Sequence, residues 1–214
     1  MSTTILLIRH GETAWNAERR LQGHIDIALN DEGLRQAEAL GRALGGEALT
    51  AIISSDLQRA KQTAQALAGH HRLHIQTDAL LRERCYGAFE GMLYADIALR
   101  YPLEYAAWQA RDIDAVMPAG VRVAQSFRQF YARAVGGIER WASRYAGQSI
   151  AIVAHGGVLE CAYRAAVGMS LDSPRDFQVK NSSVNRFTFE DGKLSLTNWG
   201  DIDHLDTAAF DELS

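Results

Sequence analysis

The chain has 214 residues and a mass of 23.6 kDa; 47% of its residues are hydrophobic and 22% charged, which excludes a disordered chain and suits one domain with a core of ordinary size. A net charge of −4, from 22 Lys and Arg against 26 Asp and Glu, argues against a nucleic-acid or anionic-membrane binder and confines any anion site to a local pocket. Cys85 and Cys161 lie far apart with no CxxC, so neither a disulfide framework nor a Cys-based zinc site is written here, and a reducing, cytoplasmic setting is expected.

The first apolar run, Ile5-Leu6-Leu7-Ile8, is too short for a signal-peptide core and reads as a strand covered on both faces. Leu34, Ala37, Leu40, Gly41 and Leu44 then recur at helical spacing. Ala51-Ile52-Ile53 repeats the strand signal, and Leu57, Ala60, Ala64 and Leu67 repeat the helical one, with Ser55 or Asp56 as its cap. Leu93 to Met117, punctuated by Pro102 and Pro118, reads as one or two helices outside this alternation. From Val123 to Tyr145 the spacing predicts a long helix with a weak point at Gly136-Gly137. Ile150 to Ala154 is the third buried strand. Val184 to Phe189 and Leu194 to Trp199, around Glu190-Asp191-Gly192-Lys193, predict an antiparallel hairpin at one sheet edge. Asp206 to Ser214 reads as a loosely held tail. Strands alternating with helices indicate an α/β layered domain.

Two of the apolar strands run into the same pair of residues, His10-Gly11 after the first and His155-Gly156 after the third. Ligands of parallel sheets bind beyond the C-terminal strand ends, so the repeated His-Gly points at one shared pocket. Arg9, and Arg59 in the first turn of the helix after the middle strand, add two guanidiniums, a set suited to a doubly charged phosphoryl group. Glu83, between Arg82 and Arg84, offers a carboxylate that by composition alone reads as part of a solvated charge run. His70, His71 and His74 lack a carboxylate or Cys companion, and no metal is assigned to them.

The run Leu7-Ile8-Arg9-His10-Gly11-Glu12-Thr13-Ala14-Trp15-Asn16 resembles the signature of the histidine phosphatase superfamily, in its phosphoglycerate-mutase-like branch. Gln22-Gly23, Leu29-Asn30 with Gly33, Ser54 to Ala64, Glu83 with Gly87, Phe89-Glu90-Gly91 and Ala154-His155-Gly156-Gly157 follow in family order. The resemblance implies a three-layer α/β/α sandwich over residues 1–214, its central sheet mostly parallel with an antiparallel edge strand, and a helical lid at about 93–118. It implies that His10 is a nucleophile forming a phosphohistidine, with Arg9, Arg59, His155 and Asn16 on the phosphoryl oxygens and no metal or cofactor. Glu83 would protonate the leaving alkoxide and then activate water. Gln22 and Gly23 would help hold substrate, and Gly156 would offer its N–H.

The sequence departs from the family pattern twice. Pro118-Ala119-Gly120-Val121-Arg122-Val123 stands where many members have Gly-Glu-Ser, so a weaker start to the long helix is expected. After Trp108 there is one arginine, Arg111, where phosphoglycerate mutases of this family have adjacent arginines for the substrate carboxylate. A shorter, less basic lid favours water as acceptor. The expected activity is therefore hydrolysis of a small phosphorylated metabolite, with a phosphoglycerate mutase as the alternative and a phosphoprotein-binding or regulatory role behind both. Monomer and homodimer stay open.

Overall fold

The computed structural model describes residues 1–205 and residue 211. Among them a six-stranded sheet forms the middle layer: β1 (Thr3–Arg9), β2 (Ala51–Ser54), β3 (Ile75–Thr77), β4 (Ser149–Ala154), β5 (Val184–Glu190) and β6 (Lys193–Asp201), in the order β3-β2-β4-β1-β5-β6. The first four places in that order are parallel; β5 runs antiparallel to β1, and β6 antiparallel to β5. The one reversed strand thus sits a place in from the edge, because the Asp191-Gly192 turn folds β6 back along its outer side.

Helices α1 (Ala14–Ala17), α2 (Asp31–Leu44), α3 (Gln58–His71), α4 (Tyr94–Arg100), α5 (Pro102–Gln109), α6 (Phe127–Arg144) and α7 (Gly156–Val167) fill the connections. Ile5, Leu7, Ile53, Ile150 and Ile152 face Phe130, Ile138, Val158 and Leu159 of α6 and α7. Their alternates Leu6, Ile8, Ile52 and Val153 face Leu40 and Leu44 of α2 and Ala64 and Leu67 of α3. A strand covered on both faces needs apolar residues at every position, which is why these runs carry no charge. Each fully buried Leu or Ile contributes about 2 kcal/mol by leaving water. Leu34 is the exception on α2, since it lies half exposed on the solvent side of that helix.

Two helix starts differ from expectation. The long helix begins at Phe127, and Val123 stands 79% exposed in the loop before it. Its start is strong, because the Ser126 hydroxyl accepts from the Gln129 N–H (3.2 Å) while the Gln129 side chain accepts from the Ser126 N–H (3.0 Å). The Gly136-Gly137 pair does not interrupt it; a Cβ on Gly137 would lie 3.2 Å from Leu80 Cβ, so that glycine lets α6 approach closely. At α3 neither Ser55 nor Asp56 is the cap: Leu57 holds that position, and Asp26 Oδ1 accepts from the Gln58 N–H (2.6 Å). Ser55 and Asp56 are engaged elsewhere, with His155 and Arg82.

The 93–118 region forms α4 and α5 over a third apolar cluster of Leu21, Phe89, Ile97, Met117 and Ala124. Tyr94, Tyr101, Tyr105 and Trp108 pack against that cluster. The expected tail lies outside the described residues except Asp211, which is ion-paired with Arg175 (2.6 Å). No helix among the described residues is long and apolar enough to cross a membrane.

Candidate active site

Because β4 lies between β2 and β1, the residues that follow these three strands converge on one spot. The His10 N–H donates to the Ala154 carbonyl (3.0 Å) and the Ser55 N–H to the Val153 carbonyl (2.9 Å), which sets His10, His155 and Ser55 side by side. The His10 and His155 rings meet edge to face, their centroids 5.1 Å apart. Both are buried.

His10 Nδ1 lies 2.7 Å from the Gly11 carbonyl oxygen. A carbonyl only accepts, so Nδ1 carries the proton and Nε2 keeps its lone pair. Burial first, then the Arg59 and Arg9 charges, hold this imidazole well below its ordinary pKa of 6.5, against a smaller upward pull from the Gly11 bond. His155 is lowered likewise, by burial first and then by Arg59 and His10. Two neutral imidazoles beside two guanidiniums leave the site ready for an anion.

The other residues named from the sequence are brought to the same place. Arg9 and Arg59 are buried; Arg9 Nη1 donates to the Val179 carbonyl, and Arg59 donates to the carbonyls of Ile25 (3.0 Å) and Gly23 (2.8 Å). Gly23 has φ +52°, and a Cβ there would lie 2.2 Å from Glu90 Oε1. Asn16 Oδ1 accepts from the Thr13 N–H (3.0 Å) and hydroxyl (2.9 Å). Asn181 Nδ2 donates to the His10 carbonyl (3.0 Å) and reaches Asn16 Oδ1 (3.5 Å). Gln22 is buried, and neither atom of its amide has a hydrogen-bond partner among the described residues, an arrangement that a polar ligand would satisfy. Gly156 opens α7, immediately after His155.

Glu83, which local composition left as a solvated charge, is only 4% exposed. Its Oε1 accepts from the Arg84 N–H (2.7 Å) and its Oε2 from the Gly157 N–H (2.9 Å). A Cβ on Gly157 would lie 2.2 Å from Glu83 Oε1, so the second glycine of His155-Gly156-Gly157 is the one that admits the carboxylate. The Glu83 carbonyl accepts from His24 Nε2 (2.7 Å) and Arg133 Nη2 (2.9 Å).

Several of these supporting residues were not foreseen. Gly157 was visible as the second glycine of a pair, and Asn181 as part of the polar run Asn181-Ser182-Ser183 just before a strand. Arg133 and His24 carried no local signal, since each acts on a residue at least 50 positions away. Cys85 and Cys161 are buried, and burial pushes both thiols up. His71 Nε2 contacts the Leu44 carbonyl (3.0 Å), and the described residues hold no metal-sized group of three His, Cys, Asp or Glu.

The layered sheet with two histidines at adjacent strand ends is the architecture of the phosphoglycerate mutase-like α/β proteins. The chain belongs to the histidine phosphatase superfamily (branch 1), whose family profile matches residues 5–202, as the motifs implied. It is 37% identical over 210 residues to phosphoglycerate mutase-like protein 4 of Arabidopsis thaliana, covering 96% of this chain and 88% of that one. To the metal-independent phosphoserine phosphatase of Arabidopsis thaliana it is 35% identical over 213 residues, 97% of this chain and 85% of that one. Among solved structures, a mutant phosphoserine phosphatase from Entamoeba histolytica in complex with phosphoserine superposes with a TM-score of 0.83 at 26% identity, covering 95% of this chain and 99% of that one.

Proposed function

We propose that this protein is a metal-independent phosphatase that hydrolyses a small phosphorylated metabolite through a phosphohistidine on His10, with residues 1–214 working as one domain and 93–118 as its lid. The observation that carries the reading is the Nδ1–H bond from His10 to the Gly11 carbonyl, which leaves a neutral imidazole with its Nε2 lone pair available as nucleophile. Nε2 attacks phosphorus in line, the N–P bond forms, and the ester P–O bond breaks. The leaving alkoxide takes a proton from Glu83. Glu83, now a carboxylate, removes a proton from water, whose oxygen attacks phosphorus, releases inorganic phosphate and restores His10.

Arg9, Arg59, His155 and Asn16 serve as donors to the equatorial oxygens, with Gln22, Gly23 and the Gly156 N–H at the margin of the site. Removal of one such preorganised donor costs about 3 kcal/mol of barrier. The substrate class is supported by the relatives named as phosphoserine phosphatases. A cavity of about 650 Å³ lies between the lid residues Tyr94, Tyr105, Trp108 and Arg111 and the segment from Pro174 to Gln178; His10, Arg59, Glu83 and His155 do not line it, so it is a neighbour of the phosphate site and not the site itself. Hydrolysis is favoured over mutase action because Arg111, the one arginine following Trp108, is already engaged by Glu160 (2.5 Å). We place the protein in the cytoplasm, in keeping with its two reduced cysteines.

The test is purified protein with EDTA present, assayed against phosphoserine, 3-phosphoglycerate with and without its bisphosphate, and other phosphomonoesters. Inorganic phosphate and 2-phosphoglycerate are followed together. Phosphate release that is lost in His10→Ala is expected. Rapid 2-phosphoglycerate formation with little phosphate would make the protein a mutase, and silence on both would favour a binding role.

A further inference from the structure

If His155 is a phosphoryl donor, as the proposed function has it, its neutral imidazole must carry its one ring proton on the correct nitrogen. Ser55 is wholly buried, and its Oγ lies 2.8 Å from His155 Nε2. The Leu57 N–H points at the same oxygen from 3.4 Å, and the Ser54 hydroxyl is turned away onto the Ser55 carbonyl (2.7 Å). Among the described residues His155 Nε2 is the one acceptor within reach of the Ser55 hydroxyl proton. A buried hydroxyl without an acceptor is costly, so the O–H donates to Nε2 and that nitrogen must be unprotonated. The single ring proton of neutral His155 then sits on Nδ1. That atom is buried and has no hydrogen-bond partner among the described residues, and its ring lies against His10.

We propose that Ser55 is a positioning residue: its hydroxyl locks His155 in the Nδ1–H tautomer, so that His155 gives a hydrogen bond to the phosphoryl group without a positive charge. The proton on His155 therefore needs no acidic medium, and its contribution persists as pH rises above the ordinary imidazole range. Without the hydroxyl, neutral His155 is free to place its proton on Nε2, and the Nδ1 donor is assured only when the ring is charged.

Long-range 1H–15N correlation spectra of the whole protein, with the His155 signal identified by its absence in His155→Asn, read the tautomer directly and need no turnover. The wild type should show Nδ1 protonated and Nε2 unprotonated at pH 7.5. Nε2 protonated in the wild type would overturn the proposal whatever the fate of the phosphatase reading. In Ser55→Ala the pattern should shift toward the other tautomer. Its kcat should fall about 100-fold at pH 7.5, and inorganic phosphate should bind more weakly. Ser55→Thr, which keeps the hydroxyl, should recover the wild-type tautomer and kcat. A Ser55→Ala protein with unchanged tautomer, or with kcat within threefold of wild type, would sink the proposal. Should Ser55→Ala fail to fold, the wild-type and Ser55→Thr spectra decide.

Discussion

The floor of the site and its lid are built by different rules. On the floor, Arg9, Ser54, Ser55 and His155 are almost wholly enclosed, and each backbone N–H or side chain that matters is tied to a neighbouring strand. In the lid, α4 buries Ile97, α5 buries no residue completely, and neither helix has a side-chain cap. Leu99 and Leu103 stand 81% exposed there. The lid is held by rings stacked about Trp108, with Tyr86, Phe89, Tyr94 and Tyr105 at centroid distances of 5.5 to 6.1 Å, and by the Arg111–Glu160 pair at its end. A parallel sheet supplies precision to about the tolerance that phosphoryl transfer needs, whereas ring packing permits rearrangement. On the proposed mechanism the chemistry belongs to the floor, and the lid is where selection among phosphate esters would be made.

Gly157→Ala should break the floor with the largest effect. The added methyl must occupy space now held by Glu83 Oε1, 2.2 Å away, and comes within 2.9 Å of Phe130. With Glu83 as the proposed acid and base, displacing its carboxylate removes both together, so kcat should drop by a factor on the order of 10³. The urea midpoint should fall as well, because the methyl also meets the ring of the buried Phe130. Turnover within threefold of wild type would show that the contact is not needed and would detach Glu83 from the mechanism.

A second, smaller effect comes from the buried imidazoles. His10 and His155 are held well below 6.5 in the fold, while the unfolded chain titrates at about 6.5, so the unfolded state binds more protons as pH falls below that value. Their contribution to stability is fully present above 6.5 and is lost progressively as pH falls from there toward the folded pKa. Each ring accounts for up to about a tenfold change in the folding equilibrium per pH unit. Urea unfolding at pH 7, 6 and 5 should show this slope, and His155→Asn should reduce it. An unchanged slope in that variant would mean that the His155 pKa is not lowered by the fold.

The division between floor and lid also explains what could be read from the sequence. Strands buried on both faces leave unbroken apolar runs, and Ile5 to Ile8, Ala51 to Ile53 and Ile150 to Ala154 are central strands, each leading to a site residue. His10, His155, Arg9 and Arg59 follow from that placement because strand ends and first helical turns are local features. Glu83 required the family resemblance, since its partner Gly157 is far along the chain. The helix start at Ser126 was misplaced because Val123 and Phe127 keep helical spacing, while the capping pair Ser126 and Gln129 outweighs spacing alone. Ser55 was legible as a cap by type, yet its hydroxyl is drawn to His155, one strand over, by a pairing that only the sheet order creates.

The smallest effect sharpens the lid side of the comparison. Arg111 has φ +55°, follows α5, lines the cavity beside it, and places its guanidinium 5.3 Å from the Phe127 ring centre. Glu160 Oε1 accepts from Arg111 (2.5 Å) and also from Arg164 (2.9 Å), and Arg164 is itself anchored to the Ser173 carbonyl (2.9 Å). Arg111→Gln therefore removes the lid's tether while leaving Glu160 paired, which avoids the larger penalty of an uncompensated buried carboxylate. Loss of one charge-assisted bond at a partly exposed site should raise KM about fivefold, with kcat within twofold, because the floor is untouched. Cleavage by trypsin or chymotrypsin within 94–111 should quicken in parallel. A fall in kcat with KM unchanged would instead place Arg111 on the reacting group, and the boundary between lid and floor would have to be redrawn to include it.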